Sequence, residues 1–137
     1  MLIDINIFIE IARAQDKSQE CRDLFTAICE DLFKEDAYIT SFGLSAIQAM
    51  TNQSNPDFLK ELMIAIHQEK FLIFDTSIID QMMILSVQQD LNLDFDDTLH
   101  YIAAHKLNTY LVSYDKDFAK HEIIVKTPKK VLKEILS

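Results

Sequence analysis

The chain has 137 residues, 49% of them hydrophobic, and a formal net charge of −9. That length suits a single domain, 1–137, able to bury its core without disulfides or structural metal, and one glycine with two prolines leaves little room for long loops or disorder. The acidity disfavours a broad nucleic-acid surface, because phosphate affinity comes from Lys and Arg releasing counterions; any such contact has to be local.

Cys21 and Cys29 lie on one predicted helix, about 12 Å apart at 1.5 Å per residue, which is too far to bridge. They read as small core residues of a reducing compartment. No basic segment followed by an apolar stretch precedes the first element, and no apolar run approaches the roughly 18 residues of a membrane span. The expectation is a cytoplasmic protein with no membrane contact.

Leu2-Ile3 predicts a short buried strand that delivers Asp4 at its carboxyl end, followed by a helical turn through Ile7 to Ile11. Between Asp16 and Phe33 the apolar residues Cys21, Leu24, Phe25, Ile28, Cys29, Leu32 and Phe33 recur every three or four positions, as in an amphipathic helix. Ala37 to Thr40 predicts a second strand, with Ser41 capping a helix to about Met50. Asn55-Pro56 is a helix start, with Phe58, Leu59, Leu62, Met63 and Ile66 on its apolar stripe.

Phe71 to Phe74 predicts a third strand, and Thr76 opens a helix containing Ile78, Ile79, Met82, Met83 and Val87. Met63, Met82 and Met83 read as core filling. Asp94 caps a helix through His105 with Leu99, Ile102 and Ala103 inward, and Tyr110 to Val112 forms a fourth strand. Glu122 to Val125 is a fifth strand, and Thr127-Pro128 starts a basic terminal helix. Strands alternating with helices predict an α/β fold in three layers, a mainly parallel central sheet flanked by helices.

Ligands in such folds bind outside the carboxyl ends of the strands, where the acids of this chain gather. Clustered carboxylates repel one another in a low dielectric unless a cation lies between them, and Asp4, Asp97 and Asp115 could supply a hard divalent ion with oxygen ligands. Asp4 interrupts an apolar strand, where an unpaired carboxylate is costly to bury; a helix N-cap is its alternative reading. Capping and the helix dipole suit Asp94, Asp96 and Asp97 alike, and Asx turns suit Asp115 and Asp117; Asp94, Asp96 and Asp117 are assigned mainly to those roles and are secondary candidates. His100 and His105 are spaced five apart, not the four that places two zinc ligands on one helix face. A nucleophilic-serine turn and a glycine-rich phosphate loop are both missing, and Asn6 stands where a phosphoryl-aspartate enzyme would want a second acid.

Taken in order, LIDINIFIE, LDFDDTLHYIAAHKL and LVSYDKDF resemble the PIN domain, the fold of many toxin ribonucleases of bacterial and archaeal toxin–antitoxin pairs. The resemblance covers the whole chain. It implies a ribonuclease dependent on Mg²⁺ or Mn²⁺, with Asp4, Asp97 and Asp115 as catalytic metal ligands and Asn6 and Ser113 orienting water or phosphate. Arg13, Lys17, Lys106, Lys116 and Lys120 are candidate RNA contacts, with ordinary solvated charge as the alternative. The implied partners are RNA, an antitoxin whose basic segment occupies the acidic pocket, and a second copy of the chain.

One position departs from the family's pattern. A Glu is common near the start of the helix after the second strand, and here the place falls on Ala46, which cannot bind a cation. Ser45 and Gln48 are nearby neutral oxygens, but they also read as two ends of a capping box. The alternative function is therefore a catalytically impaired PIN-like domain acting as a protein-binding or regulatory module.

Overall fold

The computed structural model describes residues 1–136. Strands β1 (Leu2–Ile3), β2 (Tyr38–Thr40), β3 (Leu72–Phe74), β4 (Leu111–Val112) and β5 (Val125–Lys126) form one parallel sheet in the order β3-β2-β1-β4-β5. The helices are α1 (Ile5–Ala12), α2 (Ser18–Cys29), α3 (Ser41–Thr51), α4 (Pro56–His67), α5 (Ile78–Leu91), α6 (Phe95–Leu107) and α7 (Pro128–Leu136). A 3-10 helix, Lys116–Lys120, follows β4.

Alternation along two-residue strands is enough to build two cores, because successive side chains point to opposite faces. Ile3, Ile39 and Val112 face α1, α2, α3, α4 and α7, where Phe8, Leu24, Phe25, Ile47, Phe58, Leu62 and Val131 are buried. Leu2 and Leu111 face the other way, onto Ala103 and Ala104 of α6 and onto Phe118. Ile84 of α5 then packs against Leu99 and Ile102. The three-layer parallel α/β architecture expected from the sequence is the one observed.

The chain order along the sheet reverses between β1 and β4, since β1 to β3 run outward on one side and β4 to β5 on the other. Two connections diverging on opposite faces leave a crevice beyond the carboxyl ends of that strand pair. Asp4 follows β1 and Ser113 follows β4, so both open into it.

Several local expectations shift. The cap of α3 is Thr40, whose hydroxyl accepts from Gly43 N–H at 2.9 Å, rather than Ser41. Ser45 and Gln48 lie inside α3 and form no capping box; the Gln48 amide instead reaches the Met63 sulfur at 3.5 Å. Ser77 rather than Thr76 caps α5, in a reciprocal box with Asp80. Strand β5 begins at Val125, near the end of the predicted segment, because it pairs Val125 with Leu111 and Lys126 with Val112. Met63, Met82 and Met83 are not core filling: Met63 is exposed on α4, and Met82 and Met83 are exposed on α5 with Ile78, Ile79 and Leu85, Met82 at 62% exposure.

The single glycine is needed for space, since left-handed turns here are made by Ala14, Asp31, Glu69, Asn92 and Asn108. A Cβ on Gly43 would lie 2.4 Å from Ile5 Cγ2 and 2.8 Å from Thr40 Oγ1, so α1 and the α3 cap both close onto it. Gly43→Ala is expected to destabilise by about 1–3 kcal/mol through overpacking, outweighing the up to ~1 kcal/mol that alanine adds in a helix. Denaturant unfolding checks this, and a stabilised variant would contradict the packing account.

Candidate metal centre

Parallel pairing of β1 with β4, Leu2 opposite Leu111 and Ile3 opposite Val112, carries on to bring Asp4 against Ser113. The Ser113 hydroxyl donates to Asp4 Oδ2 at 2.6 Å, and Asn6 N–H donates to Asp4 Oδ1 at 3.2 Å, making Asp4 the cap of α1. Asp4 is 3% exposed, yet these two bonds leave further lone pairs on its carboxylate. Ser113 Oγ accepts from Asp115 N–H at 3.0 Å. The Asx turn that follows belongs to Asp115, whose Oδ1 accepts from Asp117 N–H at 2.8 Å, and Asp117 itself is exposed. Asn6 thus meets Asp4 through its backbone N–H, while Ser113 links Asp4 to Asp115.

The start of α6 brings three more acids. Asp94 is spent on capping, accepting from Asp97 N–H at 2.8 Å. Asp96 does not share that role: it turns inward, and among the described residues its Oδ1 has no hydrogen-bond partner. Burial raises the Asp96 carboxyl above its ordinary range against the pull of His100, and Asp4 and Asp94 raise it further. Asp97 is pushed up to about 7, first by burial and then by Asp94, Asp115, Asp96 and Asp4. Carboxylates from two strand ends and one helix start therefore act on a single group.

Two sets of side chains bring possible ligand atoms within 4.8 Å of one another: Asp97 with Asp115 and Asp117, and Asp4 with Asp96 and His100. The expected trio of Asp4, Asp97 and Asp115 is thus divided between neighbouring groups, coupled electrostatically through Asp97. Uncompensated negative charge and orphaned buried acceptors are what a cation would relieve, so the donor set fits a divalent ion. A cleft of about 400 Å³ lined by Asp4, Asn6, Glu10, Gln15, Tyr114 and Asp115 gives access. Ala46 is half-buried in α3 and contributes no ligand atom.

The Asp97 shift has a signed consequence. With the folded carboxyl raised above the unfolded value of about 3.9, its contribution to metal-free stability is fully present below that value and is lost as pH rises through about 7. In chelator, Asp97→Asn should raise the melting temperature relative to wild type at pH 8 but not at pH 4. Equal shifts at both pH values would contradict the crowding of carboxylates around Asp97.

Of the basic candidates, Arg13, Lys17, Lys116 and Lys120 are exposed. Lys17 Nζ lies 5.9 Å from the Tyr114 ring centroid, near the cleft, and Lys116 follows Asp115 directly. Lys106 is instead paired with Asp80 of α5. Cys21 and Cys29 are free, and burial pushes the Cys21 thiol up to about 11, in keeping with an inert core residue. His100 is the residue that spacing rules missed: a search for paired histidines passes over an Asp and a His four apart, Asp96 and His100, which share one face of α6.

The fold is thus a parallel α/β domain with acidic side chains collected at the reversal point of the sheet. The sequence model of the PIN domain matches residues 1–124, and the chain belongs to that family. A toxin–antitoxin complex from Klebsiella pneumoniae has a chain similar in fold, with 19% identity, a TM-score of 0.68, and coverage of 93% of this chain and 96% of that one. The crystal structure of VapBC2 from Rickettsia felis, bound to a DNA fragment from its promoter, matches with 16% identity, a TM-score of 0.63, and coverage of 92% and 96%. A search of curated proteins returned no match. Among the described residues no helix is long and apolar enough to cross a membrane.

Proposed function

We propose that this PIN domain is a divalent-metal-dependent endoribonuclease, acting as the toxin of a toxin–antitoxin pair. The observation that carries the reading is the convergence of Asp4, Asp96, Asp97 and Asp115 on one crevice, close enough to push Asp97 up to about 7. Asp4, Asp97 and Asp115 would hold Mg²⁺ or Mn²⁺. Such an ion, when bound, supplies an activated water and stabilises charge on the phosphodiester. Ser113 holds Asp4 in place, Asn6 borders the cleft, and exposed Lys17, Lys116 and Lys120 provide the local positive charge that an acidic protein needs to meet RNA.

The toxin reading draws support from the partners in the two similar structures and from the apolar surface on α5, where Ile78, Ile79, Met82 and Leu85 are exposed. An antitoxin or a second copy of this chain would cover it. Ala46 favours a second reading, a domain that binds a partner without cleaving RNA, because one carboxylate of the family's usual set is missing. Incubating the protein with single-stranded RNA separates the two. Cleavage in Mn²⁺ or Mg²⁺ that stops with chelator supports the nuclease, whereas intact RNA in the presence of bound metal supports the binding module.

A further inference from the structure

His100 is 0% exposed, and among the described residues neither ring nitrogen has a hydrogen-bond partner. A buried imidazole without partners costs free energy, so its position calls for a compensating group. Its Nδ1 lies 3.8 Å from Asp96 Oδ1, itself orphaned. That separation is too long for a hydrogen bond, but it falls between the ~3.0 Å of adjacent ligands and the ~4.2 Å of opposite ligands around an ion with ~2.1 Å bonds. A carboxylate oxygen of Asp4 completes a set whose members lie within 4.8 Å of one another.

We infer that Asp4, Asp96 and His100 form a mixed nitrogen–oxygen metal site that takes a first-row transition ion such as Mn²⁺ in preference to Mg²⁺. Imidazole suits transition ions, whereas Mg²⁺ demands oxygen ligands and keeps much of its water. The neighbouring group of Asp97, Asp115 and Asp117 offers oxygen alone, so the two sets differ in the ion they select. Asp96 and His100, four residues apart on α6, bring a carboxylate and an imidazole to Asp4. The inference rests on the metal-centre reading above and adds to it a nitrogen ligand.

Pulsed electron paramagnetic resonance on the tag-free protein loaded with Mn²⁺ tests it. The expected result is modulation from a directly bound nitrogen, lost in His100→Gln and retained in His105→Gln. Competition with Mg²⁺ should show the Mn²⁺ preference falling about tenfold in His100→Gln. Because His100 is buried, Asp96→Asn, at a side chain 28% exposed, provides a second variant, expected to weaken Mn²⁺ about tenfold while the circular dichroism stays native. Bound Mn²⁺ without nitrogen coupling, or with the same coupling in His100→Gln, overturns this inference and leaves the carboxylate centre standing. Metal-dependent RNA cleavage distinguishes that case from failure of the nuclease reading itself.

Discussion

Asp4→Asn is expected to reduce metal-dependent RNA cleavage by about 10²–10³-fold, because a metal ligand supports several kcal/mol of charge stabilisation at the phosphate and each 1.36 kcal/mol is a tenfold rate change. The fold should survive. Asparagine is as good an N-cap as aspartate, and its carbonyl can keep the bond from Asn6 N–H that Asp4 Oδ1 accepts at 3.2 Å. The amide then faces Ser113 Oγ, and the hydroxyl must rotate away from its present donation at 2.6 Å. Loss of one charge should also lower the Asp97 carboxyl toward its ordinary range, since Asp4 is among the groups that raise it. Initial rates on single-stranded RNA, with Asp97 titrated by NMR in parallel, check both effects. Retained cleavage in a folded variant would remove Asp4 from the reaction.

Phe71→Ala should have the largest effect on stability, about 3–5 kcal/mol, the cost of deleting a buried aromatic side chain and leaving a cavity. Phe71 is buried immediately before β3, with its ring 5.6 Å from that of Phe8 and 5.5 Å from that of Phe25, which in turn lies 5.7 Å from Phe58. One side chain therefore ties the sheet to α1 and α2, and through Phe25 to α4. For a domain of this size the loss corresponds to a melting temperature lower by roughly 10–20 °C. Phe71→Leu keeps most of the volume and should cost less. Chemical denaturation measures both, and a change under about 1 kcal/mol in Phe71→Ala would show that the aromatic cluster does not hold the helices to the sheet.

Elements with local signals were legible in the sequence. Asn55-Pro56 marks the start of α4, Asp94 caps α6, and Pro128 opens α7, because a cap or a proline acts within one turn. Strand β5 was less so, since its extent depends on pairing with β4, and no short window contains that information. The apolar stripe on α5 misled for a related reason: Met82 and Met83 have the composition of core residues, but whether a face is covered depends on the rest of the fold or on a partner.

The candidate centre was partly legible. Asp4, Asp97 and Asp115 stand at predicted element ends, and the parallel sheet brings those ends together. Composition could not divide the roles within Asp94-Phe95-Asp96-Asp97, because capping suits all three acids; the fold gives the cap to Asp94 and turns Asp96 toward His100. His100 was hidden by its surroundings, an imidazole on the buried face of a helix that reads as core unless the carboxylate four residues earlier is considered.

Calorimetric titration of the purified protein with Mn²⁺ near neutral pH, in buffers of different ionisation enthalpy, tests the metal centre most directly. Saturable binding below millimolar concentration is predicted, with proton release from Asp97, whose carboxyl near 7 must ionise to face a cation. Binding should weaken in Asp4→Asn and in Asp97→Asn. No binding at millimolar Mn²⁺ would contradict the account, leaving the carboxylates at the sheet's reversal point without a cation to explain them.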